Sequence, residues 1–233
     1  MRHFGTLLLK EEKAIFSSSI AYATLTVYVL LMGYTFTAVL FLNRTGELVR
    51  VFFQAAVLFL LIVPVLTMRL LAEERRTGTL ELLLTSPVQE FEIVLAKFVA
   101  GLTLPVLMLG LTGSYALVLG VYGDPDWGPV YSGFLGLLLL AAALTAIGLL
   151  VSGLTSNQIV AAIVAMGVGI LLWMIDTIGY LLPDPFDTII THLSFVAHFT
   201  PFATGALFLS DCGFFLIIVL AGLFLTVRAL ARR

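Results

Sequence analysis

The stretch MRLLAEERRTGTLELLLTSPVQEFEIVLAK, Met68–Lys97, decides the fold. Nine charged side chains stand in it, while the chain on either side is nearly free of charge. None occurs from Val51 to Met68 or from Phe98 to Gly123. A helix crosses the hydrocarbon core of a bilayer in about 20 residues. The stretch therefore reads as a polar connection between two membrane spans.

Working outward, the uncharged run Ala14–Asn43 holds a span at 19–42, and Val51–Met68 and Phe98–Gly123 hold the second and third. Trp127–Ile175 is too long for one helix. It breaks at Ser152-Gly-Leu-Thr-Ser-Asn-Gln158, leaving spans at 129–151 and 159–181. A sixth runs from 208 to 229, with Asp211 at its edge. The runs are continuous rather than alternating, so they are helices and not barrel strands. The fold class is all-α and polytopic, one domain over residues 1–233.

Composition agrees. The chain is 61% hydrophobic and 11% charged, against roughly 45–50% and 25% in soluble domains. That excludes a water-soluble globule, a nucleic-acid binder and a disordered chain. A net charge of −2 points to no partner by itself. The lone Cys212 excludes an internal disulfide framework or a thiolate metal cage. Thr6–Leu9 is too short an apolar run for a secretory signal, and Lys10-Glu11-Glu12-Lys13 follows at once, so the first span is expected to persist in the mature protein.

Six spans put both termini on one side, and basic residues mark that side as cytoplasmic. Arg2, Lys10 and Lys13 at the start, Arg69, Arg75, Arg76 and Lys97 in the loop, and Arg228, Arg232 and Arg233 at the end make ten of the twelve. Only Arg44 and Arg50 fall opposite, on a face carrying Glu47, Asp124, Asp126, Asp184 and Asp187. The expected location is a bacterial inner membrane, multi-pass, with both termini in the cytoplasm.

Within the loop, Gly78 can end or kink the helix continuing from span two. Leu80, Leu83 and Leu84 then share one face of a short amphipathic helix. Ser86-Pro87 stops it, because the residue before proline avoids the helical region. The same pair starts the next helix, with Ser86 as N-cap, Pro87 at N1 and Gln89 at N3, and Glu90 and Glu92 in the first turn. Such a charged helix serves either as a solvated connector or as a docking element for a cytoplasmic partner. Residues 1–17 mix charges with Phe4, Leu7, Leu8, Leu9, Ile15 and Phe16, which suits an interfacial amphipathic helix. Residues 183–205 are too broken to cross the membrane and suit a re-entrant pair of short helices on the external side.

No phosphate-binding Gly-x-x-x-x-Gly-Lys-Ser/Thr loop is present, nor His-Glu-x-x-His, Gly-x-Ser-x-Gly or Cys-x-x-Cys. The chain is expected to be no enzyme by itself and to hold no metal or cofactor. An alternative is a membrane-embedded redox subunit binding haem or metal through His192 and His198, near Asp211. These histidines stand six apart and do not share one helical face. In span one, Thr24, Tyr28 and Thr35 share a face and either line a pathway or bond within the bundle. Ala161, Ala165 and Gly169, and likewise Gly110 and Ser114, form small-residue ridges for close packing within the chain or across a dimer.

The loop resembles the coupling region of ABC-2 type transporter permeases, most of all the branch of gliding-motility-associated and multicopper-enzyme-maturation permeases. Thr67-Met68-Arg69, Glu73 through Leu83, Ser86-Pro87 and Lys97 carry the resemblance. It extends to Lys10-Glu11, Phe16-Ser17-Ser18 and Ala21-Tyr22 at the start, with Ser19 where the family has a proline. At the end it takes in His198-Phe199, Phe202, Gly205, Asp211 and Leu225–Arg228. The resemblance implies a six-span subunit, dimeric with a second copy or a paralogue, docked on separate nucleotide-binding subunits that hold ATP and magnesium. It implies docking and transmission through Glu73, Glu74, Arg75, Arg76, Thr77, Gly78, Glu81 and Pro87. A second contact would come from the interfacial helix with Lys10, Glu11 and Lys13. Lipid surrounds such a subunit, some relatives add an accessory protein with an extracytoplasmic domain, and nucleic acid has no part. The cargo cannot be read beyond a leaning toward amphipathic or lipid-like molecules.

Overall fold

The computed structural model describes residues 4–43, 48–84, 88–122, 126–179 and 190–231. The elements are α1 (Phe4–Phe16), α2 (Ser19–Ala38, extended by a π-helical turn Val39–Asn43), α3 (Val49–Thr67), α4 (Ala72–Thr77) and α5 (Thr79–Leu84). There follow α6 (Glu90–Tyr122), α7 (Trp127–Leu154), α8 (Gln158–Gly179), α9 (Phe195–Thr204) and α10 (Leu209–Ala231). Six of them, α2, α3, α6, α7, α8 and α10, are long and apolar enough to cross a membrane. The all-α polytopic architecture read from the sequence is the one observed.

The core is organised around α7. Leu137, Leu140, Ala141, Ala143, Leu144, Ala146 and Leu149 are buried on all sides of it. A helix that is apolar all round belongs in the middle of a bundle. Small residues let the neighbours come in close. Gly133 faces the Phe52 ring of α3, and Gly148 faces Thr67. A Cβ at Gly136 would lie 2.6 Å from Phe202 of α9. Gly222 of α10 sits against Ala146, where a Cβ would stand 3.0 Å from its own. By contrast α2, α8 and α10 keep most of their apolar surface outward, with Leu30, Tyr34, Ile159, Ile163, Ile217 and Leu220 exposed. The Ala161, Ala165 and Gly169 ridge is used within the chain: both alanines are buried, and Gly169 packs on Leu144 and Leu60. Gly110 faces open space and Ser114 is exposed.

Several threonine hydroxyls in the spans turn to their own helix. Thr67, Thr145 and Thr226 each donate to the carbonyl four residues back, at 2.9, 2.7 and 2.7 Å. This satisfies them where water is absent.

Two local expectations change. The sequence has span two running on as far as Gly78, but α3 ends at Thr67 and a turn intervenes before α4. The helix after the loop starts at Glu90, not Pro87: Val88 and Gln89 are not helical. The Gln89 carbonyl accepts from Glu92 N and Ile93 N, so Gln89 stands at the cap rather than at N3. Ser86, Pro87, Arg2, Arg44, Glu47, Asp124, Asp184, Asp187, Arg232 and Arg233 lie outside the described residues, as do the Leu83 and Leu84 side chains. Of the expected re-entrant pair, α9 and a helical turn at 190–193 are described.

Candidate functional site

The loop reading gains a geometry where α1, α4 and α6 meet, at the end of the bundle that holds both termini. α1 brings Lys10 and Glu11 to the junction, α4 brings Glu73 and Glu74, and α6 brings Lys97. The Lys97 ammonium lies 3.1 Å from Glu11 Oε1 and 3.0 Å from Glu74 Oε1, with its side chain 2% exposed. A buried ammonium costs several kcal/mol unless it is well paired. Here two carboxylates from two other elements meet it. Lys10 adds a longer contact to Glu74, 3.4 Å, from a side chain that is 62% exposed, so solvent screens most of its contribution. The four groups sum to zero charge.

Two further contacts fix α4. Arg69, in the turn before it, donates from Nε to Glu73 Oε2 at 3.0 Å and from Nη1 to Ser18 Oγ at 3.1 Å, which ties the turn to the α1–α2 link. Ser152 Oγ of α7 accepts from Leu71 N and Ala72 N at 3.0 and 2.9 Å and donates to Met68 O at 2.9 Å. The cap of α4 thus comes from another helix, since Leu71 at its N-cap supplies none. Orphan amides at a helix start need such a partner when buried.

Gly78 ends α4 at φ 73°, a left-handed conformation that a Cβ disfavours, and α5 leaves at once. The turn carries Arg76, Thr77 and Thr79 outward with Glu81 just beyond, all exposed, while Leu80 is buried. Arg75 is half-buried. Glu73 and Glu74, expected at the docking contact, pair within the chain with Arg69 and with Lys97. Glu11 is the buried residue of α1, and Lys13 is exposed. Pro87 lies outside the described residues.

In α2, Tyr28 is fully buried, stacked on Phe59 at 5.8 Å, with its hydroxyl 2.6 Å from Thr112 Oγ1 of α6. Thr112 gives its own proton to Met108 O at 3.0 Å, so Tyr28 is the donor. Thr24 and Thr35 are half-buried and bond to Ile20 O and Leu31 O of their own helix.

At the opposite end, α9 is capped by Ser194 Oγ, which accepts from Ala197 N, and closed by Gly205 at φ 96°. Phe195, Phe199 and Phe202 are buried, and Ser132 of α7 donates to Phe202 O at 2.7 Å. His198 Nδ1 lies 2.7 Å from Asp211 Oδ1 of α10, and its Nε2 lies 3.1 Å from the His192 carbonyl oxygen. An N–H must face that carbonyl, and one proton must stand between Nδ1 and Oδ1. Asp211, read as a residue at the edge of a span, is buried. Both ring nitrogens of His198 are used, and His192 contributes its backbone. Among the described residues no three His, Cys, Asp or Glu side chains gather as a metal site would need.

The sequence reading missed Ser152, seen only as part of a break between spans, and gave Lys97 no task. The signal for Lys97 was available: it stands directly before the apolar run Phe98–Gly123, where a cation must find acids or reach water.

A model of the ABC-2 family transporter proteins matches residues 9–231. A search of curated proteins finds no match. The family match covers nearly the whole chain, so the chain belongs to the ABC-2 transporter family.

Proposed function

From that membership, which makes the chain a permease component working with an ABC ATPase subunit, we propose that it is the membrane-spanning subunit of an exporter. It pairs with a second permease chain and takes its energy from the ATPase through the α4–α5 turn. The single observation that carries this reading is the junction of Lys97 with Glu11 and Glu74. It ties the turn to α1 on one side and to α6 on the other. α6 is 33 residues long and runs unbroken through the bundle. A push on Arg76, Thr77 and Glu81 therefore acts on a rigid element rather than dissipating in a loop.

The basic residues at this end support a cytoplasmic position for it, in a bacterial inner membrane. The exposed surfaces of α2, α8 and α10 face lipid or the second permease. The cargo is amphipathic or lipid-like, and an accessory protein with an extracytoplasmic domain has the α9 region to meet. Glu73 and Glu74 act inside the chain, as transmission residues, while Arg76 and Glu81 meet the ATPase. The membership favours this reading over a redox subunit.

The test is co-purification from native membranes in mild detergent, followed by an ATPase assay on the complex. Wild type brings down an ATPase subunit with cargo-stimulated activity. Arg76→Glu folds normally but loses the subunit or its stimulation. An Arg76→Glu complex with unchanged stimulation overturns the docking role, and a clean chain with a haem band overturns the class.

A further inference from the structure

One hydroxyl fastens α4 to α7, and a second fastens the far end of α7 to α9. At the end of the bundle that holds both termini, Ser152 Oγ spends its whole bonding capacity, one proton and two lone pairs, on the turn before α4. Met68 O takes the proton, and Leu71 N and Ala72 N donate to the oxygen. Gly148, one helical turn away on the same face, lets Thr67 lie directly on the backbone of α7. Gly153 does the same for Leu71, whose Cδ1 would stand 3.2 Å from a Cβ there.

At the opposite end the arrangement repeats in reverse order. Ser132 has three carbonyl oxygens in reach. Those of Gly128 and Pro129 in its own helix lie at 2.9 and 3.3 Å, and that of Phe202 in α9 is nearest, at 2.7 Å. Gly136, one turn on, admits Phe202, whose Cβ would lie 2.6 Å from a Cβ at that position. Ser132 and Ser152 stand 20 positions apart on one helix, about 30 Å at 1.5 Å per residue. No proline follows Pro129 in that helix.

Both fastenings join a side chain to a main chain, and both are flanked by glycine. No flexible side chain stands between α7 and its neighbour to absorb a shift. Close-packed protein transmits strain rather than yielding to it. If α4 moved and α7 did not, the Leu71 and Ala72 amides would lose their buried acceptor, which is the costlier course. A movement of α4 therefore carries α7 with it. α7 in turn carries α9, which packs mainly on α7.

We infer that α7 is the element through which α4 and α9 move together, with Ser152 and Ser132 as the positioning residues at its two ends. The inference rests on the exporter reading for what moves α4. It goes beyond that reading by naming where the movement arrives, at α9 on the external side. Coupling between two sites is reciprocal, so a ligand that holds α9 also acts on α4.

The test is hydrogen exchange of the complex co-purified with its ATPase subunit, measured by mass spectrometry on the α9 amides. Two states are compared, one free of nucleotide and one trapped with ATP and orthovanadate. In wild type, trapping is expected to change the exchange rate of α9 by about fivefold or more. In Ser132→Ala the ATPase subunit stays bound and is trapped, but the ratio of the two rates at α9 falls toward one. Ser152→Ala loses the response from the other end. A serine that only stabilised its neighbour would raise exchange in both states alike and leave the ratio unchanged. A wild-type ratio kept in either variant overturns the inference, as does a wild-type α9 that ignores trapping. Absence of an ATPase subunit from the purified chain sinks the exporter reading and this inference with it, whereas a trapped complex with a silent α9 sinks the inference alone.

Discussion

Replacing Lys97 by methionine keeps most of the length of the side chain and removes the charge that Glu11 and Glu74 share. Both carboxylates lie within 3.1 Å of one Nζ, and their side chains are only 11% and 14% exposed. Without the ammonium they are left as uncompensated, mostly buried charges, a change that costs about 3–5 kcal/mol. The lower end applies here, because Lys10 is already 3.4 Å from Glu74 and can move in. A chain of this length loses roughly 2–4 °C in Tm per kcal/mol, so Lys97→Met should unfold about 6–12 °C below wild type. The assay is thermal unfolding of the purified chain in detergent at neutral pH. Lys10→Met is the internal control: its side chain is 62% exposed, and a contact of that kind contributes about 0–1 kcal/mol. The triple variant Glu11→Gln, Lys97→Met, Glu74→Gln should recover most of the loss, because a neutral cluster carries no desolvation penalty. Equal Tm values for Lys97→Met and Lys10→Met would refute the reasoning, as would a triple variant no better than the single one.

Three other outcomes follow from the same geometry. Ser152→Ala strands the Leu71 and Ala72 amides and should cost about 1–3 kcal/mol, with faster hydrogen exchange at Leu71 and Ala72 than in wild type. Gly136→Val drives a side chain into Phe202 and should cost about 1–3 kcal/mol by overpacking, whereas Gly110→Ala, which faces open space, should be neutral or stabilising by up to ~1 kcal/mol; the pair of melting curves checks both. His198→Ala leaves the buried Asp211 carboxylate without its partner and should lower Tm more than Asp211→Asn, whose amide can still donate to Nδ1.

Much of the fold was legible because lipid imposes a coarse rule. A span has to be apolar over its whole length, so the uncharged runs bounded by Lys13, Arg50, Arg69, Lys97 and Asp126, with the polar break at 152–158, mark six helices without reference to packing. The helix stop at Gly78 was legible for a similar reason, since the position takes φ 73° and glycine adopts it at least cost. The start of α6 was not, because a serine–proline signal and a glutamine cap three residues later are both locally sound. Ser152 was not legible either: its three partners are 80, 81 and 84 residues away, and nothing in the local sequence points to them.

The sequence by itself determined the class of the molecule, six apolar spans with a charged connection and a basic end, together with the family that the connection resembles. Those properties depend on composition and local spacing, which the bilayer reads directly. Only the tertiary structure decided which charges in that connection face outward and which face in. Glu74 and Arg76 stand two residues apart on one short helix, yet one closes on Lys97 and the other is exposed. The choice rests on where α1 and α6 lie beside that helix. The ammonium of Lys97 must find one of its carboxylates, Glu11, across 86 residues of chain, and that pairing exists only once the helices have packed.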